Sequence, residues 1–134
     1  MQITITGTEQ HLYALRNACE LYLRIGLGQF AEVAEQHINR LYEESKGEGK
    51  TWYDYRQATE RACKSILMPE MPMNASYGVG NKHVSQQAHL CYELWKLLGG
   101  GTDGPPLNYS GLPLPDVKVE LAPARNPDVA RSVS

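Results

Sequence analysis

Residues 17–30 read N-A-C-E-L-Y-L-R-I-G-L-G-Q-F, and the reading of this stretch decides the fold. Apolar residues recur at helical spacing as far as Ile25, glycines follow at 26 and 28, and Phe30 starts a second apolar pattern. Gly26 and Gly28 are expected to supply the left-handed backbone that ends one helix and lets the next begin. The pair superficially resembles part of a phosphate loop. It follows a helix, not a strand, and no third glycine falls at the required spacing, so it reads as a helix joint.

Upstream of the joint, the first helix is expected from about Glu9 to Ile25, with Thr8 as N-cap. Leu12, Leu15, Ala18, Cys19, Tyr22 and Leu23 form its apolar face, widened by Ala14, Leu21 and Ile25. The face opposite is narrow: Tyr13, Arg16, Asn17, Glu20 and Arg24. Glu20 precedes Arg24 by one helical turn, a pair worth ~0.3 kcal/mol. So wide an apolar face needs cover on more than one side, either from this chain or from a second copy. Before the helix, Gln2 to Thr6 alternates polar and β-branched residues and reads as a short strand.

Downstream, a second helix is expected from about Gln29 to Glu44, with Phe30, Val33, Ala34, Ile38, Leu41 and Tyr42 inward. Residues 45–50 read as a solvated loop. Thr51 and Asp54 form a short capping box for a third helix, with Trp52, Tyr55, Thr59, Ala62 and Ile66 inward and Arg56, Glu60, Arg61 and Lys64 facing away. Pro69 stops it. A fourth helix spans about Ser85 to Leu98, packing through Ala88, Cys91, Leu94, Trp95 and Leu98. The glycines and prolines of 99–106 then read as a joint. Val117 to Leu121 alternates like an edge strand and is expected to pair with Ile3 to Ile5. The expected fold is α+β, with a helical body of about four helices and a small sheet formed by the N-terminal and C-terminal strands. The organisation is a body over 1–98, a joint and arm over 99–121 that can fold back or reach a neighbouring subunit, and a mobile tail over 122–134.

Composition narrows the function. A chain of 134 residues has room for one core, and a hydrophobic fraction of 42% argues against wholesale disorder. The net charge of −2 offers no general basic field for a long nucleic acid. No apolar run approaches the roughly 20 residues of a membrane span, and residues 1–4 do not begin a secretory signal. Three scattered cysteines fit reduced core thiols, so a cytoplasmic protein is expected. Eight tyrosines and two tryptophans stand against one phenylalanine, a bias toward rings with a polar tip that suits surfaces buried on binding.

No motif carries catalysis. The histidines and cysteines never fall at metal-ligand spacing, so neither a metal nor another cofactor is expected. Ser85 lacks a nucleophile-elbow setting, and Glu43-Glu44 is an acidic pair at a helix end. The strongest constellation is the loop Tyr77-Gly78-Val79-Gly80-Asn81-Lys82-His83. Its glycines let backbone N–H groups approach an anion. Tyr77 can stack on a base, Asn81 can read a base edge or ribose, and Lys82 and His83 can meet phosphate. Arg16 and Arg24 add planar, bidentate donors, and Tyr109 and Ser110 on the arm can close the pocket. These eight residues are the candidate ligand site.

The run from Ala18 to Phe30, in the form L-Y-x-R-I-x-x-G-Q-F, resembles a recurring stretch in small proteins of phage and prophage genomes. By size and helical body the chain is also similar to phage counter-defence proteins, in particular the Thoeris anti-defence sponge family. That resemblance implies a non-enzymatic protein that sequesters a cyclic ADP-ribose or cyclic oligonucleotide signal between the subunits of a homo-oligomer, in the host cytoplasm. It implies no particular ligand residue in this chain. Two readings from other classes stand beside it: a protein-binding inhibitor or structural adaptor of a phage, and a small hydrolase.

Overall fold

A computed structural model describes residues 1–44, 51–101 and 104–122, apart from the side chains of Ile38 and Tyr42. The expected loop over 45–50 and nearly all of the expected tail lie outside these residues. The chain is α+β. In order it forms β1 (Gln2–Gly7), α1 (Glu9–Gly26), α2 (Ala31–Glu35), α3 (Ile38–Glu44), α4 (Trp52–Leu67), α5 (Gln86–Leu97) and β2 (Asp116–Leu121). The two strands pair in parallel with Ile3 beside Val117 and Ile5 beside Val119, so the chain's two ends share one small sheet.

Local signals set the helix starts. Thr8 caps α1, and its backbone N–H donates to His11 Nδ1 in return, so a histidine fills the place that an acidic residue takes in most capping boxes. Thr51 and Asp54 form the expected box at α4, and Ser85 accepts from the Ala88 N–H to cap α5. The end of α1 is a Schellman turn: Gly28 donates to the Ile25 carbonyl, Gln29 donates to the Arg24 carbonyl at 2.8 Å, and Gly28 takes φ +88°. Gly26 does not have the left-handed backbone expected of it. It is the last residue of α1, and a Cβ there would lie 2.7 Å from the Ala88 Cβ, so its role is to let α5 close onto α1.

Helix α1 packs on α5, and α4 packs on α2 and α3. Fully buried apolar residues among those described are few: Leu23, Leu27, Phe30, Ala34, Val84, Ala88 and Leu98. The face of α1 is divided. Leu23 is buried and Cys19 half-buried toward α5, whereas Leu15, Tyr22 and Ile25 remain 42%, 49% and 37% exposed. Counting about 100° per residue, Leu15 and Tyr22 lie roughly a quarter turn round the helix from Leu23, and Ile25 nearly half a turn.

Two expectations are corrected. The second helix is not continuous: α2 ends at Glu35 and α3 begins at Ile38, because Gln36 and His37 donate to carbonyls three residues back and tighten the turn. Among the described residues the helical body, expected to hold about four helices, is thus built from five. The buried face of α4 is also displaced from the expected one, although Tyr55 and Thr59 are half-buried and Arg61 is exposed as expected. Ile66 is 77% exposed and Ala62 is exposed, whereas Lys64, read as solvent-facing, is 1% exposed.

The reason is a polar network that local periodicity does not reveal. Lys64 Nζ reaches Glu60 Oε1 at 3.0 Å and donates to the carbonyls of Met73, at 2.7 Å, and Ala75. Its three N–H groups are thereby used. The other Glu60 oxygen accepts from the N–H groups of Phe30 and Ala31 at the start of α2. Arg56, stacked on Trp52, pairs with Glu32 and Glu35. Charge, more than apolar contact, fastens α4 to its neighbours.

Lys64→Met keeps the volume but leaves the Met73 and Ala75 carbonyls and Glu60 without their donor. Breaking one side of a buried pair costs about 3–5 kcal/mol, so a urea titration should show a loss on that scale. A variant as stable as the wild type would contradict the network's role.

Candidate functional site

The candidate site is a cleft of about 230 Å³ between α1 and α5, closed on one side by the loop that carries Val79. Glu20, Leu23 and Arg24 come from α1, Leu27 is the residue that caps it, and Tyr92 and Trp95 come from α5. The residues of each helix lie three or four apart, which places them on one face. The Tyr77 N–H donates to the Leu27 carbonyl at 2.8 Å and ties the loop to the end of α1. Trp95 is held by the turn after α5. Gly99 takes φ +93°, Gly100 donates to the Trp95 carbonyl, and a Cβ at Gly100 would lie 2.1 Å from the indole nitrogen. The first glycines of the expected joint are thus a helix cap folded round a tryptophan.

The eight sequence-derived residues separate into groups. Arg24 lies on the cleft. Its guanidinium holds Glu20 at 2.9 Å and donates to Gln29 Oε1 at 2.7 Å, so its charge is already partly answered. Arg16 sits two turns away from it, over the Tyr13 ring, and donates to the Gly99 carbonyl at 3.1 Å. That contact ties α1 to the cap of α5, and Arg16 is not a member of the cleft lining.

Within the loop, Tyr77 and His83 stack with centroids 5.6 Å apart and planes 29° apart. Asn81 Oδ1 accepts from the His83 N–H and shapes the turn, and Lys82 is exposed beside it. The arm returns to this loop. A Cβ at Gly80 would strike the Tyr109 ring, and that ring lies 5.8 Å from both Tyr92 and His89. Tyr109 therefore backs a wall of the cleft. Ser110 is a latch: its N–H and hydroxyl both donate to the buried Glu93 carboxylate, and Gln86 donates to its carbonyl. Tyr77, Asn81, Lys82, His83, Tyr109 and Ser110 are thus gathered round one end of α5, with Arg24 across the cleft and Arg16 apart.

Glu20, Tyr92 and Trp95 line the cleft and are not among the eight. A usable signal existed: Tyr92 and Trp95 are three apart on the inward face of α5, as Leu23 and Leu27 are four apart on α1. His89 is a further surprise. It is 8% exposed beneath Tyr109, and its Nε2 has no hydrogen-bond partner among the described residues. A second, larger groove of about 340 Å³ is lined by Ala31, Tyr53, Arg56, Gln57, Glu60 and Arg61, with Met73 and Asn74. Arg56 and Glu60 are already committed there to holding α4 in place. No cluster of metal-ligating side chains occurs among the described residues.

Cys19 and Cys91 face each other where α1 meets α5, and both are free thiols. Burial, with Cys19 beside it, pushes the Cys91 thiol from the ordinary 9.0 up to about 11. The folded state holds this proton more tightly than the unfolded state. Its stabilising effect is therefore complete below pH 9.0 and is lost as the pH rises toward about 11. Alkylation of the native protein followed by peptide mapping should find Cys91 nearly inert at pH 8 and reactive only toward pH 11. Rapid labelling of Cys91 at pH 8 would contradict this environment.

No family model matches the chain, and no curated protein or solved structure is detectably similar to it.

Proposed function

We propose that the protein is a non-enzymatic binder of a small anionic nucleotide of the cyclic ADP-ribose or cyclic oligonucleotide class, working as a homo-oligomer. In this reading it is a phage-type protein that withdraws a host antiviral signal from solution. The observation that carries the reading is the cleft between α1 and α5, with Tyr92 and Trp95 among its walls and Arg24 beside Glu20 in its lining. Aromatic walls accept a planar base whatever its sequence identity. Arg24 offers charge-assisted donors to a phosphate, and Glu20 accepts from ribose hydroxyls. The cleft volume lies below the roughly 300–1,000 Å³ of drug-sized sites. It suits a base, and the rest of the ligand would extend past the Tyr77–His83 loop or into a neighbouring subunit. The exposed Leu15, Tyr22 and Ile25 on α1 support such a neighbour.

A second reading, a protein-binding adaptor, is favoured by a separate observation. Ile66 and Leu67 at the end of α4 are 77% and 64% exposed, away from the cleft.

Thermal-shift screening against cyclic nucleotides and ADP-ribose derivatives should find a stabilising ligand, recovered chemically intact when the complex is heated. Arg24→Ala should weaken its binding by about 1–3 kcal/mol with the helical circular dichroism unchanged, and Lys82→Ala should weaken it on the same scale if the phosphate reaches the loop. Recovery of degraded ligand would replace the proposal with a hydrolase. Absence of any ligand together with a stable host-protein complex would favour the adaptor.

A further inference from the structure

The two edges of the small sheet differ. The Asp116 N–H donates to the Met1 carbonyl and the Ala122 N–H to the Gly7 carbonyl. With the parallel register, these bonds fix the phase of the ladder: Ile3, Ile5 and Gly7 turn their backbone groups toward β2. Gln2, Thr4 and Thr6 therefore turn their N–H and carbonyl groups to the outer edge of β1. On β2 the outward residues are Val117, Val119 and Leu121.

The β2 edge is defended. Asp116, Lys118 and Glu120 alternate along it, Lys118 and Glu120 form a 3.1 Å ion pair, and Pro115 precedes it. Charge and proline are the usual means by which a strand refuses a neighbour. The β1 edge has neither. Its residues, Gln2 to Gly7, are uncharged, contain no proline and are mostly β-branched. In addition, β1 and β2 make their main contact with each other. A two-stranded sheet is marginal by itself, so this one calls for another strand or another layer.

We infer that the outer edge of β1 pairs antiparallel with β1 of a second copy of this chain, across a twofold axis at Thr4, to give a four-stranded sheet in the order β2-β1-β1-β2. The strand is complementary to itself in this register. Thr4 meets Thr4 of the copy and Gln2 meets Thr6, and both are hydrogen-bonded pairs because these residues hold the outward groups. Ile3 meets Ile5 in the closer, non-hydrogen-bonded position, where apolar side chains make their best cross-strand contact. No like charges face each other. The Ile3, Ile5, Val117 and Val119 face of one copy continues into the same face of the other. This inference is independent of the nucleotide reading: a chain that binds no ligand would still pair in this way.

The test is native mass by light scattering, joined to amide hydrogen exchange of the wild-type chain. The expected mass is that of two chains or an even multiple. The Thr4 and Thr6 amides should exchange at least about tenfold more slowly than those of Val119 and Leu121, although none of the four donates within the chain's own ladder. Thr4→Pro removes an outward N–H and leaves every bond to β2 intact, so it should yield single chains with unchanged helix content. A single-chain mass for the wild type overturns the inference. So does a Thr4 amide that exchanges as fast as that of Val119, or a Thr4→Pro protein that associates like the wild type. If Thr4→Pro does not fold, the wild-type exchange pattern decides. Slow exchange at Val119 with fast exchange at Thr4 would move the contact to the other edge.

Discussion

Gly26 against Ala88 is the contact on which the rest of the molecule depends. Ala88 is completely buried, and α1 and α5 approach each other there because position 26 has no side chain. A larger residue would push the helices apart at the end where Leu23, Leu27 and Val84 form the core. The cleft, the loop tied to Leu27 and the arm latched to Glu93 are all set by the separation of these two helices. Tight packing of this kind tolerates little added volume.

The second half of the helical body is held in another way. Around α4 the fixing interactions are Lys64 with Glu60 and two carbonyls, and Arg56 with Glu32 and Glu35. Directional contacts specify one arrangement, but they leave apolar side chains unburied. Hence α4 exposes Ile66 and Leu67 while its lysine is buried, and α1 keeps a stripe from Leu15 to Ile25 in the open. Large exposed apolar side chains grouped on two helices, together with a two-stranded sheet that has an undefended edge, are what the proposed self-association rests on.

Legibility in the sequence followed the range of each interaction. Helix starts were readable because Thr8, Thr51 and Ser85 act on backbone groups within one turn. The pairing of the two ends was readable from alternation in both strands. The orientation of α4 was not, because burial of Lys64 depends on carbonyls supplied by the segment beyond the helix. The break before Ile38 was also hidden, since the apolar pattern runs through it. In the candidate site, the loop and arm residues were recognisable as a group, and the structure does gather them. Arg16 was chosen for its charge alone and is used by the cap of α5. Trp95 was read as packing inward because an aromatic ring that lines a cleft has the same spacing as one that fills a core, and Tyr92 was given no role.

The central claim, that Gly26 and Ala88 set the spacing of α1 and α5, is tested most directly by a double-mutant cycle in urea. Gly26→Ala alone should destabilise the protein, although alanine is the better helix former. Ala88→Gly should remove the opposing methyl group, so the double variant should be more stable than the sum of the single changes predicts, by about 1 kcal/mol or more. Strict additivity of the two substitutions, or a Gly26→Ala protein more stable than the wild type, would contradict the account.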